Sequence, residues 1–377
     1  MTEGRRLQRY AVLGITVALA LVLALLSSCA RRYNLEYYEV ETLGEVLGDA
    51  RQAYSAFFDD VTQCLYYLGG YRQEGDSFLN FKDIIKIDVR SLEVTTLETR
   101  IPKGCGSNDV MGPGVWDREL RKFYLIGGCE GSSEHPQDNR VAGIYVLDVA
   151  TETISDTGTS LPAYRIDGGA CWDTKRNLAW ITGGYGPSTS TAERVTYQRD
   201  IFYFDPEEGV CIEADGSLEE ASDDGVAVYD SSRDRVYYIG GHSSGRALDC
   251  IQEIVVRDDP VEAYGQYAEG YSGRLYLPRA LDGATGYYSA MDGCVYILGG
   301  GWTTGEDYLA EQTVYRFCPG NGIERVSDYL PSGVRDITGA HDASSSIDCF
   351  YLLRYQDGES RRGELLRGQA TPLGSPE

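Results

Sequence analysis

The residues best suited to chemistry in this chain are arginines set close to carboxylates and aromatic rings. Arg165 stands two positions before Asp167, Arg335 adjoins Asp336, and Arg51 and Arg279 occupy comparable places, while Tyr185 and Trp302 lie in polar loops. A guanidinium grips a carboxylate through two parallel hydrogen bonds, and an indole or phenol offers a flat apolar face. Arg51, Arg165, Arg279, Arg335, Tyr185 and Trp302 therefore read as a cradle for a sugar or a peptide side chain. Asp167 and Asp336, each beside an arginine, are the candidates for proton transfer if a reaction takes place. The aspartates also have a structural reading: Asp167-Gly168, Asp224-Gly225 and Asp282-Gly283 recur, and a repeated Asp-Gly can shape a turn as readily as it serves calcium or another ligand.

Metal and nucleophile signatures are weak. The three histidines, His135, His242 and His341, form no ligand spacing and read as solvated or core-satisfied imidazoles, so neither a metal nor another cofactor is expected. Ten cysteines include no C-x-x-C pair. Cys105 and Cys129 bracket one predicted hairpin and are either a disulfide or two free thiols.

These residues must be positioned by a repeating scaffold. Apolar and aromatic runs end in a glycine pair at Gly69-Gly70, Gly127-Gly128, Gly183-Gly184, Gly240-Gly241 and Gly299-Gly300, at steps of 58, 56, 57 and 59 residues. A regular period of this size marks an array of like units. A sixth, degenerate copy, Phe350-Tyr351-Leu352-Leu353, has Arg354 where the glycine would stand. Ahead of each run lies a small-residue segment closing on an aromatic residue or aspartate, such as Gly168-Gly169-Ala170-Cys171-Trp172-Asp173. After each pair comes a polar loop and an alternating segment closing on aspartate, such as Ile201-Phe202-Tyr203-Phe204-Asp205. Each unit is thus four strands, a to d.

On these motifs the chain resembles the kelch family, although the family's tryptophan after strand c is absent. The resemblance implies an all-β, six-bladed β-propeller with four antiparallel strands per blade, over residues 35–370. The last unit runs out after a short strand c at Gly363 to Arg367, so Leu35 to Val40 is expected to complete the sixth blade as its strand d. In such a topology the d–a and b–c loops share one face, which would carry the arginine and aromatic candidates. The resemblance also embraces copper radical oxidases, whose histidine ligands this chain lacks, and sialic acid mutarotases, which would assign Asp167 and Asp336 to acid–base chemistry on an acidic sugar. The expected function is a protein- or carbohydrate-binding module; a mutarotase-like epimerase is the alternative.

Location is written at the N-terminus. Arg5, Arg6 and Arg9 precede an apolar run from Ala11 to Leu26, then Leu26-Ser27-Ser28-Cys29. Basic, apolar and small regions in that order make a signal sequence, and the last four residues resemble a bacterial lipobox with Cys29 as the lipidated residue. Residues 1–28 are then a signal peptide, 29–34 a tether and 371–377 a tail; the alternative is an uncleaved anchor at residues 11–30. Either way the propeller is expected on the extracytoplasmic side of a cell membrane. The chain carries a net charge of −24, and loss of residues 1–28, with one glutamate and three arginines, leaves −26. So negative a body is excluded from binding nucleic acid and from lying flat on anionic lipid. Metabolic labelling with palmitate checks the anchor: the wild type should take up label and lose its first 28 residues, whereas Cys29→Ala should remain an unlabelled precursor.

Overall fold

The period-two and continuous apolar patterns become strands throughout. The computed structural model describes residues 35–48, 51, 55–74, 77–102, 114–128, 141–189, 195–270, 273–304, 307–330, 339–344, 348–355 and 363–372. Among them the fold is all-β with a propeller-like arrangement, and no helix is long and apolar enough to cross a membrane. Cys29, Cys105, Asp109, Cys129, His135, Arg335 and Asp336 lie outside the described residues.

Units one to three are separate four-stranded antiparallel sheets. Unit three, for example, runs Gly169–Asp173, Leu178–Thr182, Asp200–Asp205 and Val210–Ser217. Its second strand is buried at every position, which explains why the sequence there is an unbroken apolar run rather than an alternation. A fourth separate sheet contains the last unit. Its order is Leu35–Leu47, Gly363–Pro372, Cys349–Tyr355, Gly339–Asp342, so the N-terminal segment does supply the outer strand of the final sheet. Both partners are longer than expected, pairing from Leu35↔Pro372 to Leu47↔Gly363.

Six independent sheets are not what hydrogen bonding gives. Units four and five merge into one ten-stranded sheet, because Arg246–Val255 pairs with Tyr276–Ser289 at Leu248↔Leu281 and Cys250↔Tyr276. The cause is local. In unit four the loop after Gly240-Gly241 is only the tight hairpin His242–Ser243, and in unit five the first strand starts early, so two strand ends run side by side.

The innermost strands share a four-residue pattern: Ala56 to Asp59, Gly114 to Asp117, Ala170 to Asp173, Ala227 to Asp230, Gly286 to Ser289 and Gly339 to Asp342. A small residue comes first, an aromatic ring third and, in all but one, an aspartate fourth. The aspartate closes the turn that follows. Asp173 Oδ1 accepts the Lys175 and Arg176 amides at 2.9 and 3.1 Å, and Asp230 accepts those of Ser232 and Arg233 at the same distances. The ring leans on the preceding unit: Trp116 stacks on Phe57 at 4.4 Å, Trp172 on Tyr124 at 5.7 Å, His341 on Tyr287 at 4.5 Å, and Phe58 of unit one on Tyr351 of the last at 5.1 Å.

The core accordingly lies between sheets. Separate apolar clusters join units one and two, two and three, three and four, and four and five, and one larger cluster joins the fifth, the last and the first through the N-terminal strand. Tyr38 of that strand is 0% exposed, stacks on Tyr296 at 5.3 Å and accepts a hydrogen bond from Tyr287 at 3.3 Å. Tyr38→Ala should therefore cost about 3–5 kcal/mol in urea unfolding, the usual loss for a buried aromatic side chain. Deleting residues 35–47 should abolish the cooperative transition seen by circular dichroism.

Candidate functional site

A central cavity of about 720 Å³ is lined by the innermost strands of all the units. The fourfold pattern accounts for its shape. The small residues let the strands converge, and a side chain there has no room: a Cβ on Gly114 would lie 2.2 Å from the Phe123 ring, and one on Gly339 would lie 2.0 Å from that of Phe350. Two residues further on, Phe58, Trp116, Trp172, Tyr229, Tyr288 and His341 form an aromatic wall toward the a–b turns. Asp60, Arg118, Glu119 and Arg121 stand at that end. Arg118 forms a two-point ion pair with Asp60 at 2.8 and 3.1 Å, and this pair, ahead of burial, holds Asp60 below the usual carboxylate range.

One sector of the wall differs from the rest. His341 replaces the carbon ring, and Ser289 replaces the turn aspartate. Asp348 fills the gap from the last unit: its carboxylate accepts the Ser289 hydroxyl and lies 3.3 Å from His341 Nε2. Asp348 is 4% exposed, and His341 borders the cavity.

The arginine candidates are distributed differently from the expected cradle. Arg165 is 0% exposed; it donates to the Pro187 and Tyr164 carbonyls at 2.7 and 2.8 Å and pairs with Asp200. Arg51 is 7% exposed, pairs with both oxygens of Asp83 and lies over the Phe81 ring at 3.7 Å. Asp83 and Asp200 each open the third strand of their unit. These two arginines thus repeat one device that clamps the incoming loop to that strand, and they are not free to meet a ligand. Burial raises the Asp200 carboxyl despite Arg165, and lowers Arg165 itself. Arg279 and Trp302 are brought together on the surface, the guanidinium 4.0 Å above the indole, with Glu311 at 3.6 Å.

At the opposite end of the innermost strands from the aromatic wall, the turns into those strands gather carboxylates. Asp167 and Asp224 both adopt left-handed backbone, φ 52°, as does Gly283, φ 58°. The Asp224 amide donates to the Asp167 carbonyl at 2.7 Å and the Gly283 amide to the Asp224 carbonyl at 3.2 Å, so successive units interlock. Asp282 therefore matches Asp223, one place out of register with Asp167 and Asp224. The carboxylate oxygens of Asp167, Asp223 and Asp224 lie within 4.8 Å of one another. Burial, and then the Asp282 charge, push Asp223 up to about 7. Tyr185 belongs to this end: it meets Tyr197 edge-on at 5.5 Å, and Tyr197 meets His242 at 5.6 Å.

Sequence reading missed the cavity wall as a site, although the recurring aromatic before each turn aspartate was its signal. It also missed the disulfide Cys294–Cys318, which links directly opposed residues of neighbouring strands with Cα atoms 4.4 Å apart. Strand register, invisible in cysteine spacing, creates that pair.

A scan against protein-family models and a search of curated proteins find no match to this chain. Among solved structures, one titled "Structure of YjhT" superposes with a TM-score of 0.60 at 12% identity, covering 83% of this chain and 93% of that one. At that identity the likeness is one of fold, a β-propeller. The clamp is tested by Arg165→Met, which leaves the partly buried Asp200 without its cation; denaturant unfolding should register a loss of about 3 kcal/mol.

Proposed function

We propose that this chain is a six-bladed kelch-type propeller, tethered at the outer side of a cell membrane by its N-terminal segment, that binds a carbohydrate in its central cavity. The observation that carries this reading is the aromatic wall of a cavity of about 720 Å³, with a few charged groups among its lining. Flat rings match the apolar faces of pyranoses, and a few polar groups then select hydroxyl positions. The Trp116 indole N–H, buried beside the cavity, has no hydrogen-bond acceptor among the described residues, and a ligand oxygen would supply one.

Six blades are favoured because one innermost strand from each unit borders the cavity and the merged sheet still contains two complete four-strand meanders. Export is favoured by the Cys294–Cys318 disulfide, since such bonds persist in oxidising compartments. The Arg279–Trp302 pair on the loop-bearing face remains the proposed contact for a protein partner.

A mutarotase-like activity is the second reading, favoured by the His341–Asp348 pair on the cavity wall. An imidazole oriented by a carboxylate can take the proton of a sugar's anomeric hydroxyl and return one to the ring oxygen. Glycan-array screening of the full chain in detergent, followed by titration monitored through tryptophan fluorescence, tests both. Binding should quench Trp116 and Trp172, and Trp172→Ala should weaken it by about tenfold or more, or ~1.4 kcal/mol. Folding of that variant is verified by circular dichroism. No bound glycan, or unaltered affinity in a folded Trp172→Ala, would reject the cavity. NMR exchange between anomers of a bound sugar, accelerated by the wild type and not by His341→Ala, would establish the enzymatic reading.

A further inference from the structure

The carboxylates gathered at the turns into the innermost strands lie apart from the aromatic wall and are independent of the carbohydrate reading. Asp167 comes from unit three and Asp223 and Asp224 from unit four, so three negative groups from neighbouring sheets meet with oxygens within 4.8 Å of one another. They are fixed there by backbone: the left-handed turns at Asp167 and Asp224 and the Asp224 N–H to Asp167 carbonyl bond of 2.7 Å leave the loops little freedom.

A separate observation points to a missing partner. Asp223 is 7% exposed and Ser222 0% exposed, yet Asp223 Oδ1 and Ser222 Oγ, on adjacent residues, have no hydrogen-bond partner among the described residues. Buried oxygens are rarely left in that condition unless a water or an ion completes them. His242 Nδ1 stands 3.6 Å from Asp223 Oδ1, beyond hydrogen-bonding reach.

We propose that Asp167, Asp223 and Asp224 hold a calcium ion that pins units three and four together at the channel mouth. The donor set selects the ion. All the atoms are hard oxygens, which disfavours zinc. Calcium binds oxygen at about 2.3–2.6 Å, so two ligands across the ion can stand roughly 4.6–5.2 Å apart, whereas magnesium at about 2.0–2.1 Å spans only about 4.2 Å. Oxygens within 4.8 Å of one another are close enough to share one ion, and three carboxylates held by fixed turns of two units suit calcium's tolerant coordination better than magnesium's strict octahedron.

The test uses the full chain in detergent, stripped with chelator and titrated with CaCl2 by calorimetry and with Tb³⁺ by luminescence. Tyr197, edge-on to His242, and Tyr185 beside it are the sensitising rings. One calcium site is expected, with Kd in the range of extracellular modules, about 10⁻⁴–10⁻³ M, and a calcium-dependent rise in unfolding temperature. Asp223→Asn and Asp167→Asn should each abolish the terbium signal, while His242→Ala and Trp172→Ala should keep it. The proposal is overturned by absence of calcium heat and terbium luminescence in the wild type. It is equally overturned by a signal that survives in Asp223→Asn or by an equal response to MgCl2. The wild-type titration decides the matter even if a variant fails to fold.

Discussion

Everything in this fold depends on how closely one sheet can approach the next near the channel. The glycine pairs set that distance. A Cβ on Gly183 would lie 2.5 Å from the Ser222 carbonyl oxygen and one on Gly240 2.5 Å from that of Leu281, each oxygen belonging to the following unit. The second glycine of each pair donates its amide to that same carbonyl: Gly184 to Ser222 and Gly241 to Leu281, both at 2.8 Å. Their backbones sit at φ values of 63° to 96°, where an L side chain is strained. A larger residue at these points would hold the sheets apart and open the apolar clusters that lie between them.

The channel has two chemically different ends because each innermost strand has two different ends. Its entry turn brings backbone carbonyls and aspartates inward, while its exit carries an aromatic ring over a buried aspartate that caps the hairpin. Inter-sheet contact is polar and backbone-mediated at the first end and stacked at the second. The cavity lies toward the second, where rings stand off from the axis instead of meeting on it. A carboxylate cluster and an aromatic wall can therefore coexist in one narrow channel.

The arginines illustrate how repetition misleads. Arg51 and Arg165 each stand eight residues before the turn aspartate of their unit, yet other units lack an arginine at that place, so in the sequence they look singular. Folding reveals them as the same clamp, each engaging the carboxylate that opens the third strand. Ion-paired, hydrogen-bonded and out of water, they stabilise the loops of units one and three, whereas Arg279, over Trp302 in unit five, is exposed.

The sequence by itself determined the all-β class, the repeat, the order of strands in each unit and the use of the N-terminal segment as an outer strand. These follow from short-range rules: apolar period, turn-forming Asp and Gly, and a final unit that is one strand short. It also determined that the glycine pairs would need positive φ and close approach. Tertiary structure alone decided which residues face the channel, since that depends on strand register and on the twist with which sheets pack. Hence Asp224 aligns with Asp167 while Asp282 falls one place away, Cys294 meets Cys318, and Asp348 crosses to Ser289 from the hairpin of the next unit. Tertiary structure likewise joined units four and five through two bridges, because the loop lengths that bring those strand ends together carry no signal in either strand's own pattern.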